Sequence, residues 1–155
     1  MSIHSVAGDT ETNKAKFLCN ISSGYACETM AERITYDFLP KIAGPYVHAV
    51  KYNGVLYISG ITALGTPAQD KDMGSQCNEI LRQLNQIITA ENRSKKDLIK
   101  LTIFVKEIEK LTTIREQLFT FYEGNLPACS LVEISNLILP ELRIEIEATL
   151  ALQDD

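Results

Sequence analysis

Residues 53–61 run Asn53-Gly54-Val55-Leu56-Tyr57-Ile58-Ser59-Gly60-Ile61, and they predict the turn and second strand of a β-hairpin. Asn-Gly is the strongest short hairpin signal, because both residues accept the positive φ angles of a tight two-residue turn. After the turn, apolar Leu56 and Ile58 alternate with Tyr57 and Ser59. Since successive side chains of a strand point to opposite faces, we expect one face of this strand to be buried and the other open.

The rest of the chain predicts helices that alternate with strands. Apolar residues recur at helical spacing over 77–88 and over 111–122, and at strand spacing over 99–105. Together these elements predict an α+β fold, a mixed sheet with two helices packed on one face. In chain order, we expect strands near 33–38 and 55–61, a helix over 77–88, a strand over 99–105, a helix over 111–122, and strands near 129–134 and 142–150.

The two faces of the predicted sheet differ in character. The more apolar set of side chains, which includes Ile99, Leu101 and the alternating apolar residues of the last strand, is expected to meet the helices. The other face is too aromatic for bulk water and too polar for a dry core, which suits a subunit interface lined with pockets. Its side chains are Tyr57, Ser59, Thr102, Phe104, Glu145 and Glu147.

Length and composition predict one domain over residues 32–155, preceded by an irregular extension over residues 1–31. A chain of 155 residues buries roughly 70% of the surface that its unfolded form exposes, so it needs no cofactor to fold. The extension mixes Gly, Ser, Thr and Asn with scattered apolar residues and shows no sustained period.

Charge argues against a nucleic-acid partner. Fifteen basic and twenty acidic residues give a net charge of −5, which repels a phosphate backbone unless the basic groups are concentrated on one face. The densest basic stretch, residues 93–96, lies between two apolar segments and is interpreted as a solvated loop.

The cysteines predict neither a zinc site nor a disulfide framework. Cys19, Cys27, Cys77 and Cys129 form no Cys-x-x-Cys pair, and only His4 and His48 are available to help them bind a metal. No apolar run reaches the length of a membrane-spanning helix. With no signal peptide in view, we expect a cytoplasmic protein with free thiols, no metal and no membrane partner.

Three segments stand out in the chain: Gly44-Pro45-Tyr46-Val47-His48-Ala49-Val50, Leu56-Tyr57-Ile58-Ser59-Gly60, and Pro127-Ala128-Cys129-Ser130-Leu131-Val132-Glu133 with Ile144-Glu145-Ile146-Glu147-Ala148. They resemble the YjgF/Rid family of reactive-intermediate deaminases, over roughly residues 32–152. The resemblance implies a chorismate-mutase-like α+β fold and a homotrimer that binds a small molecule in the clefts between its subunits, without a cofactor. In the third segment, the family signature has arginine where this chain has Cys129.

The resemblance also implies roles for individual residues. In the family's deaminases, a glutamate on the last strand positions the water that attacks a 2-imino acid, and an arginine holds the substrate carboxylate. Matched position by position, Glu145 is the catalytic residue, and Tyr46, Ser59 and Cys129 are the substrate-binding residues. A thiol offers neither a fork of donors nor a permanent charge, so the carboxylate clamp is expected to be altered or lost.

Each of these residues also has a plainer interpretation. Cys129 is either a small, half-buried thiol that fills space or a nucleophile served by His48, and His48 is either a hydrogen-bonded wall residue or a base. Tyr46 and Ser59 either bind substrate or hold the loop against the sheet.

The two glutamates of the last strand allow a similar choice. Glu145 and Glu147 project to one side, where they would act as acid and base, hold a cation, or form salt bridges across an interface. Arg143, near the start of that strand, would pair with either of them or supply the missing positive charge.

Two functions follow from these alternatives. The first is hydrolysis, a deamination of reactive enamine or imine intermediates with altered or lost carboxylate recognition. The second is a non-enzymatic homotrimer that binds a small metabolite or a protein partner in its intersubunit clefts. Ribonuclease action, an old label on some relatives, ranks last because the chain is acidic and lacks a histidine pair and a basic groove.

Overall fold

A computed structural model describes residues 30–152, and the predicted α+β architecture is confirmed over this range. Residues 1–29, which make up nearly all of the predicted extension, and residues 153–155 lie outside the described part of the chain. The strands are β1 (Glu32–Ile34), β2 (Ala49–Tyr52), β3 (Val55–Ile61), β4 (Leu98–Val105), β5 (Ala128–Glu133) and β6 (Ile144–Ala151), and the helices are α1 (Met73–Ala90) and α2 (Leu111–Tyr122).

The six strands form one mixed sheet in the order β1-β2-β3-β6-β4-β5. Strands β4 and β5 are parallel, and the other neighbouring pairs are antiparallel. The hairpin between β2 and β3 turns at Asn53 and Gly54, whose φ angles of 49° and 71° confirm the predicted turn. The last strand of the chain therefore lies in the middle of the sheet, between β3 and β4.

Both helices cover one face of this sheet. The apolar stripe predicted for α1 is buried throughout, and Ile114, Leu118 and Tyr122 of α2 join the same core. In β6, the residues at alternate positions from Ile144 to Leu150 are also buried. The prediction of which face meets the helices is confirmed for this strand.

The predicted first strand is too long. Strand β1 ends at Ile34, because Tyr36 makes contacts outside the ladder. Its backbone N–H donates to Nδ1 of His48 over 2.9 Å, and its hydroxyl donates to Oε1 of Glu91 over 2.7 Å. Tyr36 thereby leads the chain away from β2 and into the loop that borders the candidate site.

The expectation that Ile99 faces the core is wrong. The pairing of β4 with β6 shifts register between Leu98 and Lys100. Leu98 takes the core position with 7% of its surface exposed, whereas Ile99 is 46% exposed. A bulge of this kind adds one residue to a strand and reverses the facing of the side chains before it.

Two other expectations can be compared with the described residues. The basic stretch is a turn, as expected: residues Lys95–Asp97 form a short 3-10 turn capped by Ser94. Within residues 30–152, no helix is long and apolar enough to cross a membrane.

Candidate functional site

A cleft of about 60 Å³ lies where the loop of residues 39–46 meets β3 and the middle of α1. Its wall contains three segments that are far apart in sequence, so only the folded chain creates it. The lining residues are Leu39, Pro40, Lys41, Ile42, Ala43, Tyr46, His48, Ser59, Gly60, Ile61, Thr62, Leu64 and Gln83.

His48 is a wall residue of this cleft, and that interpretation is confirmed. Its Nδ1 accepts from the backbone N–H of Tyr36 at 2.9 Å, and its Nε2 lies 3.1 Å from the carbonyl oxygen of Pro40. These partners require a neutral ring that carries its proton on Nε2. Because both nitrogens are occupied, His48 fixes the loop and is not available as a base for Cys129.

Tyr46 and Ser59 both line the cleft. The hydroxyl of Ser59 donates to the carbonyl oxygen of Val47 over 2.6 Å, which ties β3 to the segment that precedes β2. Its oxygen lone pairs stay available to accept from a ligand. The ring of Tyr46 lies over Gly44, where an added Cβ would come within 2.6 Å of the ring and would displace it.

Glu145 reaches the edge of the cleft by lying against Gly60. Ile58 and Ile61 are both buried, and the pairing of β3 with β6 shifts register between them. The additional residue of this bulge leaves Gly60 beneath the carboxyl group of Glu145. A Cβ built at Gly60 would lie 2.7 Å from Cδ of Glu145. The bulge therefore places a carboxyl group beside the lining residues of β3.

The environment of Glu145 favours its protonated form. Burial raises the pKa of the carboxyl group, and the neighbouring charge of Glu147 raises it further. Among residues 30–152, Glu145 has no hydrogen-bond or ion-pair partner, so nothing in that range compensates the buried charge. A half-buried carboxyl group with a raised pKa holds its proton more readily than an exposed one and is suited to proton transfer.

Gln83 is a site residue that the sequence analysis missed. It is 2% exposed, and its Nε2 donates to the carbonyl oxygen of Thr62 and to Oε1 of Glu79, each over 3.2 Å. Both partners are acceptors, which fixes the orientation of the amide and leaves Oε1 as the group without a partner in the described chain. A signal was present, since Gln76 and Gln83 are seven residues apart on the apolar side of α1.

Cys129 does not line this cleft. It lies on the edge strand β5, paired with the buried Leu101 of β4, and it is near Tyr122 of α2. Cys129 is two strands away from β6 across the sheet and three residues away from Glu145 along the strand direction. These offsets place the two residues about 14 Å apart. Within one chain, Tyr46 and Ser59 line the cleft, Glu145 lies against the lining residue Gly60, and Cys129 is apart.

Neither interpretation of Cys129 fits fully, because the thiol is exposed on an edge strand and does not fill space within the chain. The residue is exposed as a whole, but partial burial raises the pKa of its thiol above the usual value. A raised pKa lowers the thiolate fraction and therefore the nucleophilicity. The other described cysteine, Cys77, is fully buried, and burial raises its pKa to about 12.

Arg143 does not pair with the glutamates of β6. Its Nη1 lies 3.2 Å from Oε1 of Glu107, which also accepts from Lys110 over 2.8 Å. The expectation that Arg143 partners Glu145 or Glu147 is therefore wrong, because the charge of Glu107, just beyond the end of β4, attracts it instead.

Glu147 belongs to a second hollow, of about 180 Å³, on the open face of the sheet. Tyr57, Lys100, Thr102 and Thr149 border the same hollow. In the described part of the chain, no group of three or more His, Cys, Asp or Glu side chains is placed to hold a metal ion.

Comparisons with known proteins agree with this fold. The family model described as endoribonuclease L-PSP matches residues 39–152. A 2-iminobutanoate/2-iminopropanoate deaminase of Salmonella typhimurium is 31% identical over 124 residues, which cover 77% of this chain and 96% of the relative. The reactive intermediate deaminase A of Arabidopsis thaliana chloroplasts is 25% identical, over 79% of this chain and 66% of the relative.

Solved structures show the same architecture. A Rid-family protein of unknown function from Yersinia pestis is similar with a TM-score of 0.71 and 26% identity, over 79% of this chain and 99% of that one. A protein of unknown function from Pseudomonas aeruginosa gives a TM-score of 0.72 and 29% identity, over 82% of this chain and 96% of that one.

Proposed function

The chain belongs to the endoribonuclease L-PSP family, also called YjgF/Rid, and from this premise we propose that it hydrolyses reactive enamine or imine intermediates. The products are a carbonyl compound and ammonia. The relatives named as deaminases of 2-iminobutanoate and 2-iminopropanoate support this reaction class.

One observation carries the proposal: the carboxyl group of Glu145 lies against Gly60, a residue of the cleft that Tyr46 and Ser59 also line. As a carboxylate, Glu145 accepts a hydrogen bond from water and directs the water oxygen at the carbon of the C=N bond. The first proton of water passes to the nitrogen as the C–O bond forms and gives a tetrahedral intermediate with a hydroxyl and an amino group. The hydroxyl proton then moves to the amino nitrogen as the C–N bond breaks, so that ammonia leaves and the carbon keeps a carbonyl group. The raised pKa of Glu145 suits it to carry that proton.

Recognition of the substrate carboxylate differs from that of the family's deaminases. Cys129 replaces the fork of donors that an arginine offers to two carboxylate oxygens, and it has no permanent charge. If the protein is a homotrimer with intersubunit clefts, Cys129 would have to reach the site from a neighbouring copy. We therefore expect an affinity for small acids well below that of an arginine-bearing site.

The alternative function is a non-enzymatic homotrimer that binds a small metabolite or a protein partner in its intersubunit clefts. The open sheet face supports this alternative. Tyr57 is 51% exposed there, next to the hollow bordered by Lys100, Thr102 and Glu147. A large aromatic side chain on an otherwise unpaired sheet face is suited to an interface between copies.

Two further points complete the proposal. Ribonuclease action is disfavoured, despite the description of the family model, because the net charge of −5 opposes binding of a polyanion. We place the protein in the cytoplasm, since the described cysteines, Cys77 and Cys129, are free thiols of the kind that a reducing compartment maintains.

The experiment that tests the proposal is ammonia release from a freshly generated 2-imino acid by the wild type and by Glu145→Ala and Cys129→Arg. The hydrolase predicts activity in the wild type, its loss in Glu145→Ala, and an increase in Cys129→Arg. A folded wild type that releases no ammonia above the uncatalysed rate would exclude the hydrolase and favour the binding function.

A further inference from the structure

Lys41 is the one residue with a permanent charge among the described residues that line the cleft. Its side chain is exposed, and it makes no hydrogen bond or ion pair with any residue of the range 30–152. Other described lysines form ion pairs: Lys51 pairs with Glu91 at 2.7 Å, and Lys110 pairs with Glu107 at 2.8 Å. The ammonium group of Lys41 is thus a free cation at the rim of the cleft.

The backbone beside Lys41 is held in place although its side chain is free. The carbonyl oxygen of Pro40, the preceding residue, accepts from Nε2 of His48, and His48 is fixed in turn by Tyr36. Ile42, the following residue, is partly buried and lines the cleft as well. The backbone of Lys41 therefore keeps its position relative to Tyr46 and Ser59.

A second, independent observation marks the cleft as a ligand site. Gln83 lines this cleft, and only 2% of its surface is exposed. No described residue donates to its Oε1, which is left to accept from water or from a ligand in the cleft. The hydroxyl of Ser59 donates its proton to Val47 and so presents only lone pairs. The oxygens of Ser59 and Gln83 are therefore acceptors, and they suit a ligand that donates N–H groups.

We propose that Lys41 recognises the carboxylate of a small amino or imino acid in this cleft, while the N–H group of the same molecule donates to Gln83. The inference rests on the proposed function, because it names the substrate class of the same site. Lys41 then supplies the charge that Cys129 lacks. A lysine is a point charge without the planar fork of arginine, so the recognition is weaker and less dependent on geometry.

The test is a binding titration of full-length protein followed by nuclear magnetic resonance, with 2-aminobutanoate and 2-aminobutanamide as probes. The two probes share the amino group, but only the first has a carboxylate. Lys41→Gln is expected to weaken 2-aminobutanoate binding by roughly 1.5- to 5-fold, as for a single exposed ion pair, and to leave 2-aminobutanamide binding unchanged. Lys41→Arg should keep the affinity for the carboxylate.

Lys96→Gln is the matched control, because Lys96 is also exposed and lies outside the cleft. It changes the net charge equally and should leave both affinities unchanged. Equal weakening by Lys96→Gln and Lys41→Gln, or no effect of Lys41→Gln, would overturn the proposal. In the wild type, the side-chain amide signals of Gln83 should shift with both probes, and their failure to shift would remove Gln83 from the site.

The outcome separates this inference from the proposed reaction. Binding of 2-aminobutanoate that depends on Lys41, in a protein that releases no ammonia from imino acids, would retain the inference and reject the reaction. Ammonia release that Glu145→Ala removes and Lys41→Gln does not alter, in KM or in kcat, would retain the reaction and reject the inference.

Discussion

The carboxyl group of Glu145 occupies the space that a side chain at Gly60 would need. A Cβ at position 60 would lie within 2.7 Å of Cδ and 3.0 Å of Cγ of Glu145. Gly60 does not have a positive φ angle, so its backbone conformation is open to other residues. A larger residue at this position is opposed by one neighbouring side chain, whose carboxyl group would have to move.

Gly60→Ala is therefore expected to destabilise the protein by about 1–3 kcal/mol, the usual cost of overpacking, and to displace Glu145. In a Glu145→Ala background the same substitution should cost much less, because the obstructing carboxyl group is gone. Urea unfolding of the wild type, the two single variants and the double variant measures this coupling.

Gly65→Ala is the control for that cycle. Gly65 has a φ angle of 71°, so its substitution strains the backbone whatever residue is at position 145. Its cost should be the same in both backgrounds. Additive costs for Gly60→Ala and Glu145→Ala would show that the two residues do not meet as described.

Ionisation of Glu145 is expected to cost stability. Its pKa in the folded chain is raised by burial and by Glu147, so the folded state holds its proton more tightly than the unfolded state does. The cost is fully present above the folded pKa and absent below the unfolded value of about 4.3. Glu145→Gln should therefore raise the free energy of unfolding at neutral pH, and the gain should vanish as the pH falls to about 4.

Glu107→Gln provides a control of opposite sign. The hydrogen bond from Lys110 and the charge of Arg143 lower the pKa of Glu107, so its carboxylate contributes stability above the unfolded pKa. Its loss should lower the free energy of unfolding at neutral pH, with an effect that fades in acid. Chemical denaturation at several pH values measures both variants, and a destabilised Glu145→Gln protein at neutral pH would contradict the description of Glu145.

Periodicity in the sequence was sufficient for the framework, because the helices and most strands bury one regular stripe. It failed at Ile99, where the bulge after Leu98 changes the facing of the chain. It also extended the first strand through Tyr36, whose partners His48 and Glu91 are distant in sequence. Both errors arise from tertiary contacts that local pattern does not contain.

The site was predictable only in part, for the same reason. Tyr46, Ser59 and Glu145 followed from short motifs; the first two line the cleft, and Glu145 lies against its lining residue Gly60. Lys41 has no motif, and Gln83 belongs to the cleft because α1 packs beneath β3. The place of a polar residue within an apolar helix stripe is set by the partner it meets, which periodicity cannot specify.

Gln76 shows how much such a partner contributes. It is fully buried, and its Nε2 donates to the carbonyl oxygens of Gln69, Lys71 and Glu141 at 2.7, 3.1 and 2.9 Å. Its Oε1 accepts from the backbone N–H of Arg143 at 2.8 Å, just before β6 begins. One amide thus joins two loops to the strand that carries Glu145.

Gln76→Leu keeps the approximate volume and removes all four hydrogen bonds, so we expect a loss of roughly 2–4 kcal/mol in the free energy of unfolding. Gln86→Leu, on the same helix, loses only a bond from Arg82 and should change stability by less than about 0.5 kcal/mol. Equal stability of the two variants in urea would show that the buried network is not important for the fold.

The open sheet face allows a test of assembly that is independent of catalysis. Tyr57 is 51% exposed at the centre of the sheet, and Phe119 is 64% exposed on the opposite side, on α2. If copies of the chain assemble through the open face, Tyr57→Lys buries an uncompensated charge at the interface and should shift the protein from trimer to monomer. Phe119→Lys adds the same charge outside the interface and should leave the trimer intact. Sedimentation velocity at micromolar concentration distinguishes these states, and a wild type that sediments as a monomer would refute assembly through this face.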